Sequence, residues 1–197
     1  MEAGATTHAD IHGRIGRFML ADGMDIVMDL DRSQGSWIHD ERRDRDVLDL
    51  FTCFGSSPIG YNHPGLDDPE YRARMERACR IKPSNSDIYS EEMAHFVERF
   101  GEWALPHDMP HSFFISGGAL AVENCLKAAF DWKVRRDGVA ENDLQVLHFE
   151  NAFHGRTGYT LSLTNTHDPR KTDGFPKFDW PRVPSAAIRF PRTDDSR

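Results

Sequence analysis

The sequence predicts an α/β fold, in which a sheet with parallel neighbouring strands carries helices on its faces. An apolar run at residues 112–115 precedes a Gly-Gly turn and a helical pattern over residues 119–135, and a second apolar run follows at residues 145–149. Strand, helix and strand in this order form a βαβ unit. Because no long periodic segment follows, we expect only the first part of a larger sheet domain.

Three short apolar runs near the start of the chain predict a small β element that precedes this unit. They occupy residues 26–30, 36–39 and 47–50, and a charged turn at residues 40–46 joins the last two. Residues 51–64 combine glycine, proline and serine with aromatic side chains, a composition typical of a loop that lines a site.

Two helices are predicted between this loop and the βαβ unit. Their apolar spacing places them over residues 69–81 and 89–103. Ser86 or Asp87 is expected to cap the second helix, since both side chains can accept a hydrogen bond from a free backbone N–H.

Composition excludes several functional classes. The chain has 32 acidic against 24 basic residues and a net charge of -8, which disfavours nucleic acid as a partner. Its three cysteines, Cys53, Cys79 and Cys125, have no zinc-like spacing and indicate reduced thiols. The chain lacks both a signal peptide's apolar stretch and a run long enough to span a membrane, so we expect a cytoplasmic protein.

The turn at Gly117 and Gly118 is a candidate phosphate site. It joins a buried strand directly to a helix, whose first free N–H groups and positive dipole end face the turn. A phosphate could bind at Gly118 and Ala119, where glycine permits close approach. The same pattern without a ligand is a tight strand-to-helix turn, and composition does not decide between the two.

The helix after this turn shows one apolar face, formed by Val122, Leu126 and Ala129. Glu123 and Lys127 lie four residues apart and are expected to form an exposed ion pair. These residues are interpreted as core and surface rather than site.

The loop after the second strand is the other candidate. Ligands of open α/β sheets collect beyond the carboxyl ends of strands, where this loop and the Gly-Gly turn would meet. The ring of Phe153 could stack on a flat cofactor, and the guanidinium of Arg156 could bind a carboxylate in bidentate fashion. The alternative is a hydrophobic plug and a surface salt bridge.

Metal and serine-nucleophile chemistry find little support. His8 and His12 lie in a segment without periodicity, and a proline interrupts the stretch between His107 and His111. No H-E-x-x-H motif occurs, and Ser116 is not part of a G-x-S-x-G elbow. We therefore expect no metal site.

At these residues the chain resembles class III aminotransferases, which use pyridoxal 5'-phosphate (PLP). Residues 117–127 resemble that family's turn for the cofactor phosphate, and residues 151–156 resemble its loop that stacks on the PLP ring. The motifs are most similar to those of lysine ε-aminotransferases. The stretches that carry this likeness are residues 82–87, 118–124, 127–133, 156–166 and 175–181, within a resemblance that covers roughly residues 16–184.

The resemblance implies specific roles for five residues. Gly118 and Ala119 would hold the cofactor phosphate through backbone N–H groups, and Phe153 would cover the pyridine ring. Arg156 would bind the α-carboxylate of the substrate and also 2-oxoglutarate. Phe54 falls where the family's N-terminal loop approaches the substrate, although residues 53–55 depart from the family pattern.

The resemblance also implies an incomplete PLP-transferase fold of type I, the aspartate aminotransferase-like class. Residues 1–14 would be a disordered tail, residues 15–60 the N-terminal segment of the small domain with the active-site loop, and residues 61–197 the truncated first part of the large PLP-binding domain. The complete enzyme would be a homodimer. It would convert L-lysine and 2-oxoglutarate to 2-aminoadipate 6-semialdehyde and L-glutamate.

No catalytic residue is assigned. Enzymes of this fold need a lysine that forms a Schiff base with PLP and an Asp that pairs with the pyridinium nitrogen, and in the family both come later than residue 197. The five lysines present match no family motif; they are Lys82, Lys127, Lys133, Lys171 and Lys177. We therefore expect the chain alone to be inactive, as an N-terminal portion of such an enzyme.

Two alternatives stay open. The parent enzyme could use another amine donor, such as ornithine or 4-aminobutyrate. The chain could also be a non-catalytic remnant that acts as an interaction protein through exposed apolar surface.

Overall fold

The computed structural model of the protein describes residues 11–81, 87–186 and 190. The chain separates into two compact units, residues 1–83 and residues 84–197. Sequence-based segment boundaries after residues 14 and 60 refer to the complete family fold and stay predictions.

A short helix overlaps the end of the predicted tail. Residues 1–10 lie outside the described residues, but Ile11–Gly16 form helix α1. The imidazole Nε2 of His12 lies 3.0 Å from the carbonyl oxygen of Met24, which links this helix to the chain ahead of the first strand. Helix α1 therefore overlaps the last four residues of the predicted tail, residues 11–14.

A three-stranded antiparallel sheet dominates the first unit. Strands β1 (Met28–Gln34), β2 (Trp37–Asp40) and β3 (Arg45–Leu48) pair in the order β1-β2-β3, which confirms the predicted β element with shifted bounds. The central strand β2 is buried at Ile38 and Asp40. Its neighbours on both sides supply the ladder hydrogen bonds that a strand requires.

The predicted loop contains two short turns before the next helix. Element α2 (Thr52–Gly55) is one turn with left-handed backbone angles, and a 3₁₀ turn spans Pro64–Asp67. Helix α3 (Pro69–Cys79) confirms the predicted helix. It begins with proline, and the Asp68 carboxylate accepts a hydrogen bond from the N–H of Tyr71 at 2.8 Å.

Helix α4 (Glu91–Ala104) in the second unit confirms the second predicted helix, but its cap is Ser90. The Ser90 hydroxyl accepts a hydrogen bond from the N–H of Met93 at 3.2 Å. The expectation for Asp87 is wrong, because the helix starts four residues later, and Ser86 lies outside the described residues.

The βαβ prediction is right for its helix and, at His148–Phe149, for its second strand, but the first strand does not form. Helix α5 (Gly118–Asp137) forms as expected, and β4 (His148–Phe149) pairs in parallel with β5 (Arg182–Val183) after helix α6 (Gly158–Leu163). Residues 112–115 form no strand, because no described neighbour pairs with them. Two 3₁₀ turns complete this unit, at Glu141–Asp143 and Pro169–Lys171.

An aromatic cluster packs α5 against α6 and the segment before β5. The ring centroids of Phe130 and Tyr159 are 5.4 Å apart in an edge-to-face arrangement. Phe178 stacks on Trp180 at 4.8 Å, and Tyr159 lies 5.9 Å from Trp180. These contacts fix α6 beside α5, and with it the loop that precedes α6.

Two further features concern the cysteines and the length of the apolar helices. Cys53, Cys79 and Cys125 are free and exposed thiols. Within the described ranges, no helix is both long and apolar enough to cross a bilayer.

Candidate functional site

The N-terminus of α5 offers free backbone donors. Gly117 precedes the helix with φ of 87°, and the first bond of the helix runs from the N–H of Ala121 to the carbonyl of Gly117 at 3.1 Å. The N–H groups of Gly118, Ala119 and Leu120 therefore have no partner within the helix. Since no side chain caps this end and its first turn holds no acidic residue, its positive dipole is available to an anion.

Gly155 brings the second candidate loop onto this helix end. Its backbone has φ of +120°, and a Cβ atom there would overlap the Ala119 side chain, at 2.9 Å from the Ala119 Cα and 3.0 Å from the Thr160 Oγ1. Only glycine permits this approach without displacement. The two sequence-predicted motifs therefore meet at the contact between Gly155 and Ala119.

Threonine hydroxyls hold the backbone of this loop. The Thr164 Oγ1 donates to the carbonyl of Gly155 at 2.6 Å and accepts from the N–H of His154 at 3.0 Å. The N–H of Thr157 donates to the Thr160 Oγ1 at 3.1 Å. Because Thr160 and Thr164 are fully buried, these bonds are shielded from water.

Glu123 is a member of this network, and its predicted exposed pair with Lys127 is wrong. Its side chain is buried, with 7% of the residue surface exposed. The Oε1 atom accepts hydrogen bonds from the Thr157 hydroxyl at 2.7 Å and from the N–H of Thr160 at 3.0 Å. The reason is tertiary packing. Helix α6 lies against the face of α5 that carries Glu123, whereas the predicted ion pair requires that face to be exposed to solvent.

The predicted cofactor-stacking and carboxylate-binding side chains are both exposed. Phe153 is 58% exposed and Arg156 is also classed as exposed. Within residues 87–186, the Arg156 guanidinium makes no hydrogen bond or ion pair, which excludes the predicted surface salt bridge there. Their backbone is fixed while their functional groups stay accessible, as binding groups require.

Phe54 lies in the first unit, on a strained turn. Thr52, Cys53 and Phe54 have φ of 48°, 49° and 60°, a left-handed conformation that is unfavourable for residues other than glycine. Phe54 is 92% exposed. Its ring packs edge-to-face on that of Phe51, with the two ring centroids 4.6 Å apart.

A buried carboxylate holds this turn. The Asp49 Oδ1 accepts hydrogen bonds from the N–H groups of Phe51 and Thr52, both at 2.8 Å, and the Tyr61 hydroxyl donates to Oδ2 at 2.8 Å. The bond from the Thr52 N–H, followed by that from Tyr61, lowers the pKa of Asp49. In return, the hydrogen bond to Asp49 raises the pKa of Tyr61 to about 12.

Two of the described lysines are bonded to neighbouring groups. The Lys133 ammonium pairs with Asp137 at 2.5 Å and Lys177 donates to the carbonyl of Thr172 at 3.0 Å. Lys127 and Lys171 are exposed, and Lys82 is not among the described residues. The described ranges also contain no group of three or more potential metal ligands.

Comparison with known proteins identifies the family of the chain. Residues 19–197 match the family of class-III aminotransferases. The chain belongs to this family, and the predicted fold class is confirmed.

Individual relatives show which members of the family the chain resembles. The L-lysine-epsilon aminotransferase of Mycobacterium tuberculosis strain H37Rv is 53% identical over 189 residues, covering 93% of this chain and 42% of that protein. The enzyme of the same name from Streptomyces clavuligerus is 50% identical, covering 92% of this chain and 40% of that protein. A solved lysine aminotransferase from M. tuberculosis superposes with a TM-score of 0.88 at 50% identity, covering 97% of this chain and 45% of that chain. The chain thus spans about two fifths of the length of the curated relatives it matches.

Class III aminotransferases depend on PLP, and the residues present fit part of this cofactor. The uncapped end of α5 suits the phosphate, because glycine at 117 and 118 leaves open space where side chains would otherwise lie. The exposed ring of Phe153 suits the flat pyridine.

Sequence reasoning missed the residues that join the two motifs, Gly155, Glu123 and the three threonines. A signal existed in part: Thr157, Thr160 and Thr164 recur at helical spacing directly after Arg156. The role of Gly155 had no local signal, since it depends on Ala119, which lies 36 residues earlier in the chain.

Proposed function

We propose that this chain is part of a PLP-dependent aminotransferase that transfers the ε-amino group of L-lysine to 2-oxoglutarate, giving 2-aminoadipate 6-semialdehyde and L-glutamate. The observation that carries the proposal is the approach of Gly155 to Ala119. It joins an open anion-binding helix end to a loop with an accessible ring and an accessible guanidinium. The similarity to lysine aminotransferases supports lysine as the donor.

In this proposal each group has a distinct task. The N–H groups of Gly118 and Ala119 donate to the cofactor phosphate, and Phe153 covers one face of the ring and excludes water from it. PLP, when bound, supplies an electron sink for amino-group transfer. Arg156 binds the substrate carboxylate in bidentate fashion.

The choice of the ε-amine follows from a remote contact. If Arg156 fixes the α-carboxylate at the far end of a long substrate, the terminal nitrogen is left at the reacting end of the cofactor. Binding energy from a non-reacting group then sets the geometry of the reacting one. Cytoplasmic location and a homodimer are further parts of the proposal.

The test starts by reading the coding DNA in frame beyond the Arg197 codon and expressing the whole frame. We expect glutamate to form from 2-oxoglutarate with L-lysine as the preferred donor over L-ornithine and 4-aminobutyrate. A preference for either of the shorter donors would overturn the lysine assignment. For residues 1–197 alone we expect no transamination, and measurable glutamate would contradict that.

Arg156→Ala in the full-length protein tests the carboxylate contact. We expect the KM for L-lysine and for 2-oxoglutarate to rise about 100-fold, because losing one partner of a desolvated charge pair costs about 3 kcal/mol. Arg135→Ala is the matched control, since that side chain is exposed and pairs with Asp131 at 2.7 Å. Unchanged KM values in the Arg156 variant would sink the assigned role.

A further inference from the structure

We propose that Glu123 is a positioning residue, which fixes the loop carrying Phe153 and Arg156 against the N-terminal turn of α5. The inference deepens the proposed function and rests on it for its catalytic consequence. Glu123 does not touch substrate or cofactor in this scheme; it acts through Thr157 and Thr160.

The geometry gives Glu123 a linking role that ordinary packing would not need. It lies on the second turn of α5, after the free N–H groups, and its Oε1 accepts the Thr157 hydroxyl at 2.7 Å and the Thr160 N–H at 3.0 Å. Thr157 directly follows Arg156 in the chain. The Glu123 carboxylate thus connects α5 to Thr157, and Thr157 is bonded directly to the backbone of Arg156.

Burial makes this link expensive to break. Removing this buried acceptor leaves the Thr160 N–H without a partner and leaves the Thr157 hydroxyl with the Thr160 Oγ1 alone, at 2.9 Å, which is more damaging than losing an exposed bond. Glu123 also lies beside Gly158, where a Cβ would be 3.7 Å from Oε1, an ordinary van der Waals distance. Without the carboxylate, α5 offers the loop no acceptor at this point, and we expect the contact between Gly155 and Ala119 to loosen with it.

The role requires an acceptor rather than a charge. Within the described residues no cation pairs with Glu123, and the hydrogen bonds from Thr157 and Thr160 both end on Oε1. A glutamine at this position can present an amide oxygen to the same two donors. Glu123→Gln should therefore preserve the position of the loop, whereas Glu123→Ala should release it.

The first measurement is kinetic and uses the full-length gene product. We expect Glu123→Ala to raise the KM for both substrates by on the order of 10- to 100-fold, with a smaller change in kcat, since a displaced carboxylate-binding group weakens binding before it affects chemistry. Glu123→Gln should stay within about 3-fold of the parent protein. Ile38→Ala, a buried residue of the first unit, controls for loss of stability and should lower Tm without raising KM.

The second measurement is independent of activity. Hydrogen exchange of residues 152–164 should become about 10-fold faster or more in Glu123→Ala but not in Glu123→Gln, while exchange in β1 to β3 stays unchanged. If the loop loosens and no amino transfer is found in any variant, the proposed function fails and the positioning role stands. If the parent is active and Glu123→Ala leaves both KM and exchange unaltered, the positioning role is overturned.

Thr157→Val provides a milder variant in case the alanine variant does not fold. It removes the hydroxyl that donates to Glu123 and keeps the side-chain shape. Its effects on KM and exchange should have the same direction as those of Glu123→Ala and should not add fully to them in the double variant, because both changes break the bond between the Thr157 hydroxyl and Glu123. Additive effects would contradict the proposed link.

Discussion

The contact of Gly155 with Ala119 gives the most direct test of how the site is assembled. In Gly155→Ala, the new Cβ would lie 2.9 Å from the Ala119 Cα, whereas carbon atoms pack at about 3.5–4.0 Å, so the loop has to move by about 1 Å. Overpacking and the backbone strain of φ at +120° each cost about 1–3 kcal/mol, so the free energy of unfolding should fall by about 2–6 kcal/mol. A shift of this size should also weaken PLP binding by on the order of 10- to 100-fold.

Gly174→Ala is the matched control for this substitution. Gly174 also has positive φ, +78°, but no atom lies within 4 Å of the position that its Cβ would take. It should therefore show backbone strain alone and leave the site intact. Urea unfolding and absorbance titration with PLP, both on the full-length protein, measure the two effects. If both variants lost equal stability and bound PLP equally well, the contact would not be what holds the loop on the helix.

Two further predictions concern local hydrogen bonds. Because N–H and O–H donors lower the pKa of Asp49 in the folded chain, its carboxylate stabilises the fold above about pH 4, the unfolded value, and this contribution disappears as the pH falls through the folded pKa. Asp49→Asn should therefore flatten the acid decline of the urea midpoint, and an identical slope in both proteins would refute the account. Ser90→Ala should lower the free energy of unfolding by about 1 kcal/mol through loss of the α4 cap, whereas Ser112→Ala, at an exposed position before α5, should change it little.

Elements that carry their own signal were predictable from the sequence. Helix α3 has its proline at the first position and α5 follows a Gly-Gly turn, so local chemistry sets where both begin. The strands of the first unit pair with their neighbours in sequence, which makes their formation nearly local. Phe153 and Arg156 were identified by residue type, position after a strand and family resemblance.

Elements that depend on distant partners were not predictable. Residues 112–115 are apolar enough for a strand but have no described neighbour to pair with, while β5 consists of two residues between prolines and forms because β4 is beside it. The predicted exposed ion pair of Glu123 was wrong for the same reason. Its helical spacing from Lys127 is real, but burial by α6 decides which partner it bonds.

The way the site is held together explains why single polar changes should be so damaging. Around Gly155 the buried side chains include three polar ones, Glu123, Thr160 and Thr164, alongside Leu161 and Leu163 of α6. Apolar packing tolerates substitution by similar volumes, but a buried hydrogen-bond network loses a full desolvation penalty for each partner removed. The loop position should therefore respond steeply to the loss of one acceptor and weakly to changes in the exposed groups it presents. This separation would let the residues at 153 and 156 vary with substrate while the glutamate, glycine and threonines beneath them preserve the geometry.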